Sequence, residues 1–422
     1  MHLQLLPFAC PPRIWCAAVV AALAGGAASA AQGDAGAFPE IGFSGFGTIG
    51  VAHARIDDAD FTSSILKRSG AGRSDRWSPH VDSRLGAQLD VAIDKQWSAV
   101  VQAVSEQGYS GSYRPAIEWA NIKYQATPDL SLRFGRIALP VFLAADYRKI
   151  GYAYALVRPP VEVYNAIPLS NSDGVDISYR WKYGAVKHMT QAFLGRTSRT
   201  VAVDTHLKAR GVAGLSHTAT WRDTTIRASV LQADLTLNLA TALFDAYRQF
   251  GAPGIRLAQR YDIDERRVYA FSAGINYDPG SWFVMSELGR IKTDSYFGDT
   301  YTAYASAGYR FGDLTPYASY SLVDSDSATS DPGLSTTALP PAQAHVARLL
   351  NGQLNRLLSS IPVQSTIALG ARWDIVTGVA MTLQLERLRT QSGSRGSLIN
   401  LRDDFTPGRP VHVASAAIDF VF

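Results

Sequence analysis

From Ile41 onward, stretches recur along the chain in which apolar and polar residues alternate at every step. In residues 82–93, Leu85, Ala87, Leu89, Val91 and Ile93 share one phase, and Arg84, Gln88 and Asp90 take the other. In 364–374, Ile367, Leu369, Ala371 and Trp373 oppose Thr366, Ala368 and Arg372. In 379–388, Met381, Leu383 and Leu385 oppose Thr382, Gln384 and Glu386. A period of two marks a β-strand with one greasy and one wetter face. Sixteen such strands are expected, at about 41–55, 82–93, 97–105, 116–126, 130–136, 173–181, 187–195, 209–221, 225–235, 268–277, 282–291, 300–311, 315–322, 364–374, 379–388 and 411–422.

The connections sharpen the picture, because every second one is tiny. Asp94-Lys95-Gln96, Thr127-Pro128-Asp129, Lys182 to Val186, Arg222-Asp223-Thr224, Asp278 to Ser281, Gly312-Asp313-Leu314 and Ile375 to Gly378 are all turn-sized. The intervening connections are mostly long. Aromatic residues flank the short turns: Trp97, Tyr124, Trp181, Trp221, Tyr277 with Trp282, Phe311 with Tyr317, and Trp373. Short turns on one side, long loops on the other and a ring of Trp and Tyr at one level are the marks of a β-barrel crossing a membrane. The expected fold class is therefore all-β, a transmembrane antiparallel barrel of about sixteen strands. Such a barrel is wide enough to hold water. Two external connections also carry helical spacing: Leu239, Leu243, Ala246 and Phe250, and Val346, Leu350, Leu354, Leu357 and Ile361.

Both ends agree with this reading. The last twelve residues, VHVASAAIDFVF, place Phe422, Phe420, Ile418, Ala416 and Ala414 on one face. A bare apolar edge strand invites aggregation unless it closes onto a partner. Residues 1–30 hold one cation (Arg13), an apolar run from Ile14 to Leu23 and a small-residue end, Ala28-Ser29-Ala30, which reads as a cleavable secretory signal. Residues 31–422 then form a single barrel domain. Cys10 and Cys16 both fall in the removed segment, so no thiol or disulfide chemistry is expected. The chain has 40 basic and 36 acidic residues, and losing Arg13 leaves 39 against 36, which gives no reason to propose a nucleic-acid partner.

The signal segment, the sixteen strands, the terminal Phe and a long third external loop together resemble the Gram-negative outer-membrane porins over essentially the whole mature chain. Leu132-Arg133-Phe134-Gly135-Arg136, followed by Ile137-Ala138-Leu139-Pro140, is similar to the exit of strand five in that family. The first strand departs from the commonest general-porin pattern: it reads Phe43-Ser44-Gly45-Phe46-Gly47-Thr48. The resemblance implies a barrel in the outer membrane with its third loop, about 136–172, folded into the lumen. It further implies a homotrimer, contact with outer-membrane lipid, and Phe420 and Phe422 as the signal read by the insertion machinery. Small hydrophilic solutes and ions are the implied cargo, and no cofactor is implied.

Opposing fixed charges across a narrow wet gap set the selectivity of such a pore. Arg84, Lys123, Arg133 and Arg372 are the candidate basic wall residues, with Asp90, Asp176 and Glu386 as acidic ones. Strand parity points Arg84 and Arg133 inward. Arg136, Asp146, Arg148, Lys149, Arg158 and Glu162 are the loop candidates, four basic against two acidic, from which a weak anion preference is expected. Pro159-Pro160 stiffens this loop, and Tyr147, Tyr152, Tyr154 and Tyr164 give it bulk to pack on the wall or to form a slide for solutes. No enzyme is expected: the histidines are scattered without metal-ligand spacing, and no G-x-S-x-G or P-loop occurs. His80 near Asp82 is the one faint acid–His pair. The alternatives are a substrate-specific channel and a non-conducting barrel, either an adhesin or a hydrolase.

Overall fold

The computed structural model describes residues 39–422 apart from 203 and 392. The expected signal segment, with Cys10 and Cys16, lies outside the described residues.

Sixteen strands close into one antiparallel barrel. They are β1 (Glu40–Ala54), β2 (Arg84–Ala92), β3 (Trp97–Glu106), β4 (Ala116–Gln125), β5 (Leu130–Ala138), β6 (Asn171–Tyr183), β7 (Val186–Ala202), β8 (Thr205–Trp221), β9 (Thr224–Leu237), β10 (Arg266–Tyr277), β11 (Trp282–Thr293), β12 (Thr300–Tyr309), β13 (Leu314–Ser325), β14 (Gln364–Val376), β15 (Val379–Thr390) and β16 (Pro410–Val421). Each pairs with its chain neighbours. The ring shuts where β16 lies antiparallel to β1, from Phe46 opposite Val421 to Ala54 opposite Val413. Closure leaves no free strand edge. No described helix is long and apolar enough to cross a membrane.

The alternation sorts the side chains as the sequence implies. Leu369, Leu383, Leu385 and Ile367 stand outward and exposed, whereas Thr366, Thr382, Gln384 and Glu386 are buried inside. The outer surface is thus an apolar belt. At the turn end, Trp97 packs on Tyr124 at 4.7 Å, Tyr277 on Trp282 at 5.0 Å, and Trp181 stacks on His188 at 3.9 Å. Tyr317 leaves this girdle. It points inward, buried, and donates to Gln384 Oε1 at 2.6 Å, while Tyr309 stands beside Phe311 on the outside.

Directly across a strand pair, aromatic rings repeatedly cover glycines. Phe46 faces Gly86, Phe193 faces Gly214, Phe283 faces Gly308, and Tyr317 faces Gly370. Phe420 covers Gly47 and Phe422 covers Gly45 on the outer face of the closing seam. In each case a Cβ on the glycine would fall within 2.4 Å of the ring or its hydroxyl. The missing side chain is what lets the ring lie flat on the neighbouring strand.

One external connection differs from expectation. Strands β7 and β8 run on to Ala202 and from Thr205, so the fourth connection is a tight hairpin. Register shifts between Gly195 and Thr197 and between Arg210 and Ala213 break the alternation there, and the sequence accordingly reads as a loop. The fifth and seventh external loops fold into helices α1 (Thr241–Arg248), α2 (Gly251–Tyr261) and α3 (Pro341–Leu358). Leu243, Phe244, Tyr247, Tyr261, Ala347, Leu350, Leu354 and Leu358 make a separate core between them. The buried stripe of α3 passes through Ala347, and Val346 stays exposed.

Candidate functional site

The third external loop, 139–170, lies inside the barrel. It enters along the inner faces of β9 to β11. Ser229 Oγ donates to the Pro140 carbonyl at 2.9 Å, and Ser272 Oγ donates to that of Val141. Glu287 accepts from Leu143 N at 2.9 Å. Arg227 on β9 reaches the Phe142 carbonyl at 3.0 Å and Asp146 at 2.9 Å. The loop's apolar residues Leu139, Val141, Phe142, Tyr154, Val163 and Tyr164 pack with Phe193, Val212, Leu231 and Tyr304 of the wall.

The loop then crosses to the opposite wall. Arg372 on β14 donates to the Tyr152 carbonyl at 2.7 Å and to that of Tyr154, and lies over the Tyr152 ring. Tyr152 reaches far enough down that its hydroxyl accepts from Gly378 N in a short turn, at 3.2 Å. Val157 N donates to Gln384 on β15. Glu162 accepts from Ser321 at 2.6 Å, Gln364 at 2.6 Å, and Thr366.

Arg158 is almost fully enclosed. Its guanidinium forks onto Asp82, Nε to Oδ1 at 2.8 Å and Nη2 to Oδ2 at 2.7 Å, binds Glu386, and donates to Ser415 Oγ at 2.6 Å. Burial alone would lower its pKa, but Asp82 and Glu386 reverse that and hold it above the ordinary arginine range. Planar bidentate pairing is the arginine geometry suited to such a site.

Every charged loop residue of the predicted set that enters the lumen is therefore engaged. Asp146 pairs with Arg227, and Lys149 pairs with Glu106 on β3. Arg148 is spent on the carbonyls of Tyr164 and Leu169 at 3.2 and 3.0 Å. The tyrosines pack rather than line a slide: Tyr147 meets Tyr154 at 5.4 Å, and Tyr154 and Tyr164 are buried.

Arg136 is a correction. It sits on β5, three residues after inward-facing Arg133, so it faces outward, forking onto Asp173 at 2.7 and 2.9 Å on the outer surface. Ending the strand at 136 treats as loop a position whose parity already points away from the lumen. Arg133 does face inward, where Asp176 holds it at 2.7 Å. Lys123 lies directly opposite Arg133 in register, and Arg84 opposite Glu106. Phe420 and Phe422 stand on the outer face of β16.

The wall is unevenly covered. On β13 to β16 the inward residues Ser319, Ser321, Thr382, Gln384, Ser415 and Asp419 are buried under the loop. On the β2 to β6 side, Arg84, Gln88, Asp90, Lys123, Arg133, Ser178 and Arg180 keep solvent contact. Sequence reasoning did not single out Arg227, Glu287, Glu106 or Asp82 as wall partners of the loop. Their inward parity was available, but which of them meets the loop depends on its folded path. His80 contacts the Tyr113 hydroxyl at 2.9 Å while Asp82 is committed to Arg158, so the acid–His pair is not formed. Among the described residues, no cluster of three or more His, Cys, Asp or Glu is placed to hold a metal.

No family model matches the chain, and no curated protein matches it in sequence. Solved structures do match in fold. The anion-selective porin from Comamonas acidovorans aligns with a TM-score of 0.53 at 12% identity, over 91% of this chain and 100% of that one. The outer-membrane channel DcaP of Acinetobacter baumannii gives 0.53 at 11% identity, over 92% and 99%. OmpT, an outer-membrane protein of Vibrio cholerae, gives 0.50 at 11%, over 92% and 99%. With its apolar belt, aromatic girdle and internal third loop, the closed sixteen-stranded barrel of this chain has the fold of the Gram-negative outer-membrane porins.

Proposed function

We propose that the protein is an outer-membrane channel through which small hydrophilic solutes and ions diffuse passively, with a weak preference for anions and no chemistry done on the solute. The observation that carries this reading is the uneven cover of the lumen wall. The loop is tied along β9 through β16 and meets the end of β2 at Asp82 and β3 at Glu106, and a solvent-contacting strip remains along β2 to β6. In that strip Lys123 and Arg180 form no ion pair with a described residue, whereas Arg133 is neutralised by Asp176 and Lys149 by Glu106. The proposed anion preference thus arises on the wall, since the loop's charges are already balanced. Fixed charge lining a narrow wet passage sets which ion enters it. By resemblance the channel is a homotrimer, and Phe420 and Phe422 direct its insertion.

The test is single-channel recording of the refolded protein in a planar bilayer under a salt gradient. Stable stepwise conductance with an anion-selective reversal potential is expected, shifting toward cation selectivity in Lys123→Glu/Arg180→Glu. A folded but silent barrel would overturn the channel and favour a barrel plugged by its third loop. An unchanged reversal potential in the double variant would overturn the assignment of selectivity to this strip.

A further inference from the structure

The histidines lie far apart along the chain, yet the barrel brings two of them together on its outer face. His188 on β7 and His217 on β8 are diagonal neighbours, because Thr190 stands directly opposite His217. His188 Nδ1 and His217 Nε2 come within 3.2 Å. Both residues sit toward the short-turn end of their strands, beside the aromatic girdle, and both keep partial solvent contact. The outward positions that follow on these strands are apolar or small: Ala192 and Leu194 on β7, Leu215 and Ala219 on β8. An ionisable pair on such a face calls for a partner.

Each ring is held by a further group. Thr190 Oγ1 is 2.9 Å from His217 Nδ1 and 3.5 Å from Trp181 Nε1. The Trp181 ring stacks on His188 with an interplanar angle of 11°. Two imidazole nitrogens bound to one metal ion at about 2.0–2.1 Å stand about 3.4 Å apart at the tetrahedral angle and about 2.9 Å apart at a right angle. The observed separation of 3.2 Å falls between these limits.

We propose that His188 and His217 chelate a divalent transition-metal cation of the imidazole-preferring class, zinc or copper, with water filling the remaining positions. Thr190 Oγ1 then accepts from His217 Nδ1–H, which leaves the lone pair on Nε2 for the metal. Binding releases to solvent the proton that otherwise joins the two nitrogens. Because the ligands come from neighbouring strands, the bound ion clips β7 to β8 at the end away from the bulges that interrupt their register. The site lies outside the lumen and stands whether or not the barrel conducts.

The test is a Zn2+ titration, against a chromophoric chelator, of the untagged full barrel refolded in detergent and stripped of metal. Saturable binding of one Zn2+ per barrel is expected. Thr190→Val, which keeps both imidazoles, should weaken it about tenfold, since loss of a ligand's supporting hydrogen bond costs about 10–100-fold. His188→Gln and His217→Gln should each weaken it at least as much. His345→Gln, on the exposed face of α3, should bind as wild type does. Cu2+ on the wild-type barrel should show hyperfine splitting from two imidazole nitrogens in its EPR spectrum, a readout that needs no variant to fold. Unsaturable binding, unchanged affinity in both ligand variants or an equal loss in His345→Gln would overturn the site. So would a Cu2+ spectrum with fewer than two coupled nitrogens.

Discussion

Arg158 and Asp82 meet through two parallel hydrogen bonds of 2.8 and 2.7 Å, although 76 residues separate them. The pair joins the third loop to the strand end at β2, and Glu386 adds a third point of attachment from β15. Both partners are essentially inaccessible, at 2% and 0% side-chain exposure, so the pair cannot be traded for water. Replacing Arg158 with Met leaves two carboxylates enclosed and uncompensated, a change that costs about 3–5 kcal/mol. Denaturant unfolding in detergent should show that loss, and Arg158→Met/Asp82→Asn/Glu386→Gln should recover most of it. A single variant as stable as wild type would remove this cluster from the account of how the loop is held.

The opposite end of the same loop depends on Arg227, which binds two loop carbonyls and Asp146. Arg227→Met should loosen the loop's entry segment on the β9 wall, leaving the Ser229 bond to Pro140 in place. Single-channel recording is expected to show larger and noisier conductance than wild type. If conductance stays the same, the entry segment is held without Arg227, by its apolar packing and its hydrogen bonds to Ser229, Ser272 and Glu287.

Lys67, in the first external loop, is buried and donates to the His80 carbonyl at 3.1 Å. Burial pulls its pKa down from 10.5 to about 8, partly offset by Glu106. The unfolded chain holds that proton up to about 10.5, so unfolding takes up a proton between pH 8 and 10.5 and stability rises with pH across that window. The difference in unfolding free energy between wild type and Lys67→Met should shift in favour of wild type by about 3 kcal/mol at most from pH 7 to 11. A flat difference would show that the buried ammonium is fully compensated.

Gly308→Ala would set a methyl 2.4 Å from the Phe283 ring. Forcing that ring off its place should cost about 1–3 kcal/mol. Phe283→Leu/Gly308→Ala should cost less than the sum of its parts, which a double-mutant cycle in urea reads directly.

The barrel was legible in the sequence because a closed sheet with lipid outside and polar contacts inside imposes a period of two on every strand. All sixteen strands fall at the expected places, and the inward assignments of Arg84, Arg133 and Glu386 follow from the same parity. Legibility failed where that period is interrupted or where partners come from far along the chain. The bulges near Gly195 and Arg210 disguised the β7–β8 hairpin. Tyr317 sits in a girdle position by sequence, yet one step of parity turns it inward onto Gly370. Arg158 was visible as a loop cation. Its partners at Asp82, Glu386 and Ser415 are spread over more than 300 residues, and only the folded loop brings them together.

The rings that lie on glycines have a consequence for how the barrel assembles. Six rings stand directly opposite six glycines, two of them at the seam where the last strand meets the first. Sliding a strand by two residues preserves its alternation and nearly all its backbone bonding, so hydrophobicity alone hardly distinguishes the shifted state. Such a slip would bring Phe193 or Phe283 against a residue with a side chain and leave the glycine bare. The ring–glycine pairs therefore act as index marks: a misaligned hairpin does not seat, and the sheet can correct its alignment before the final seam is sealed.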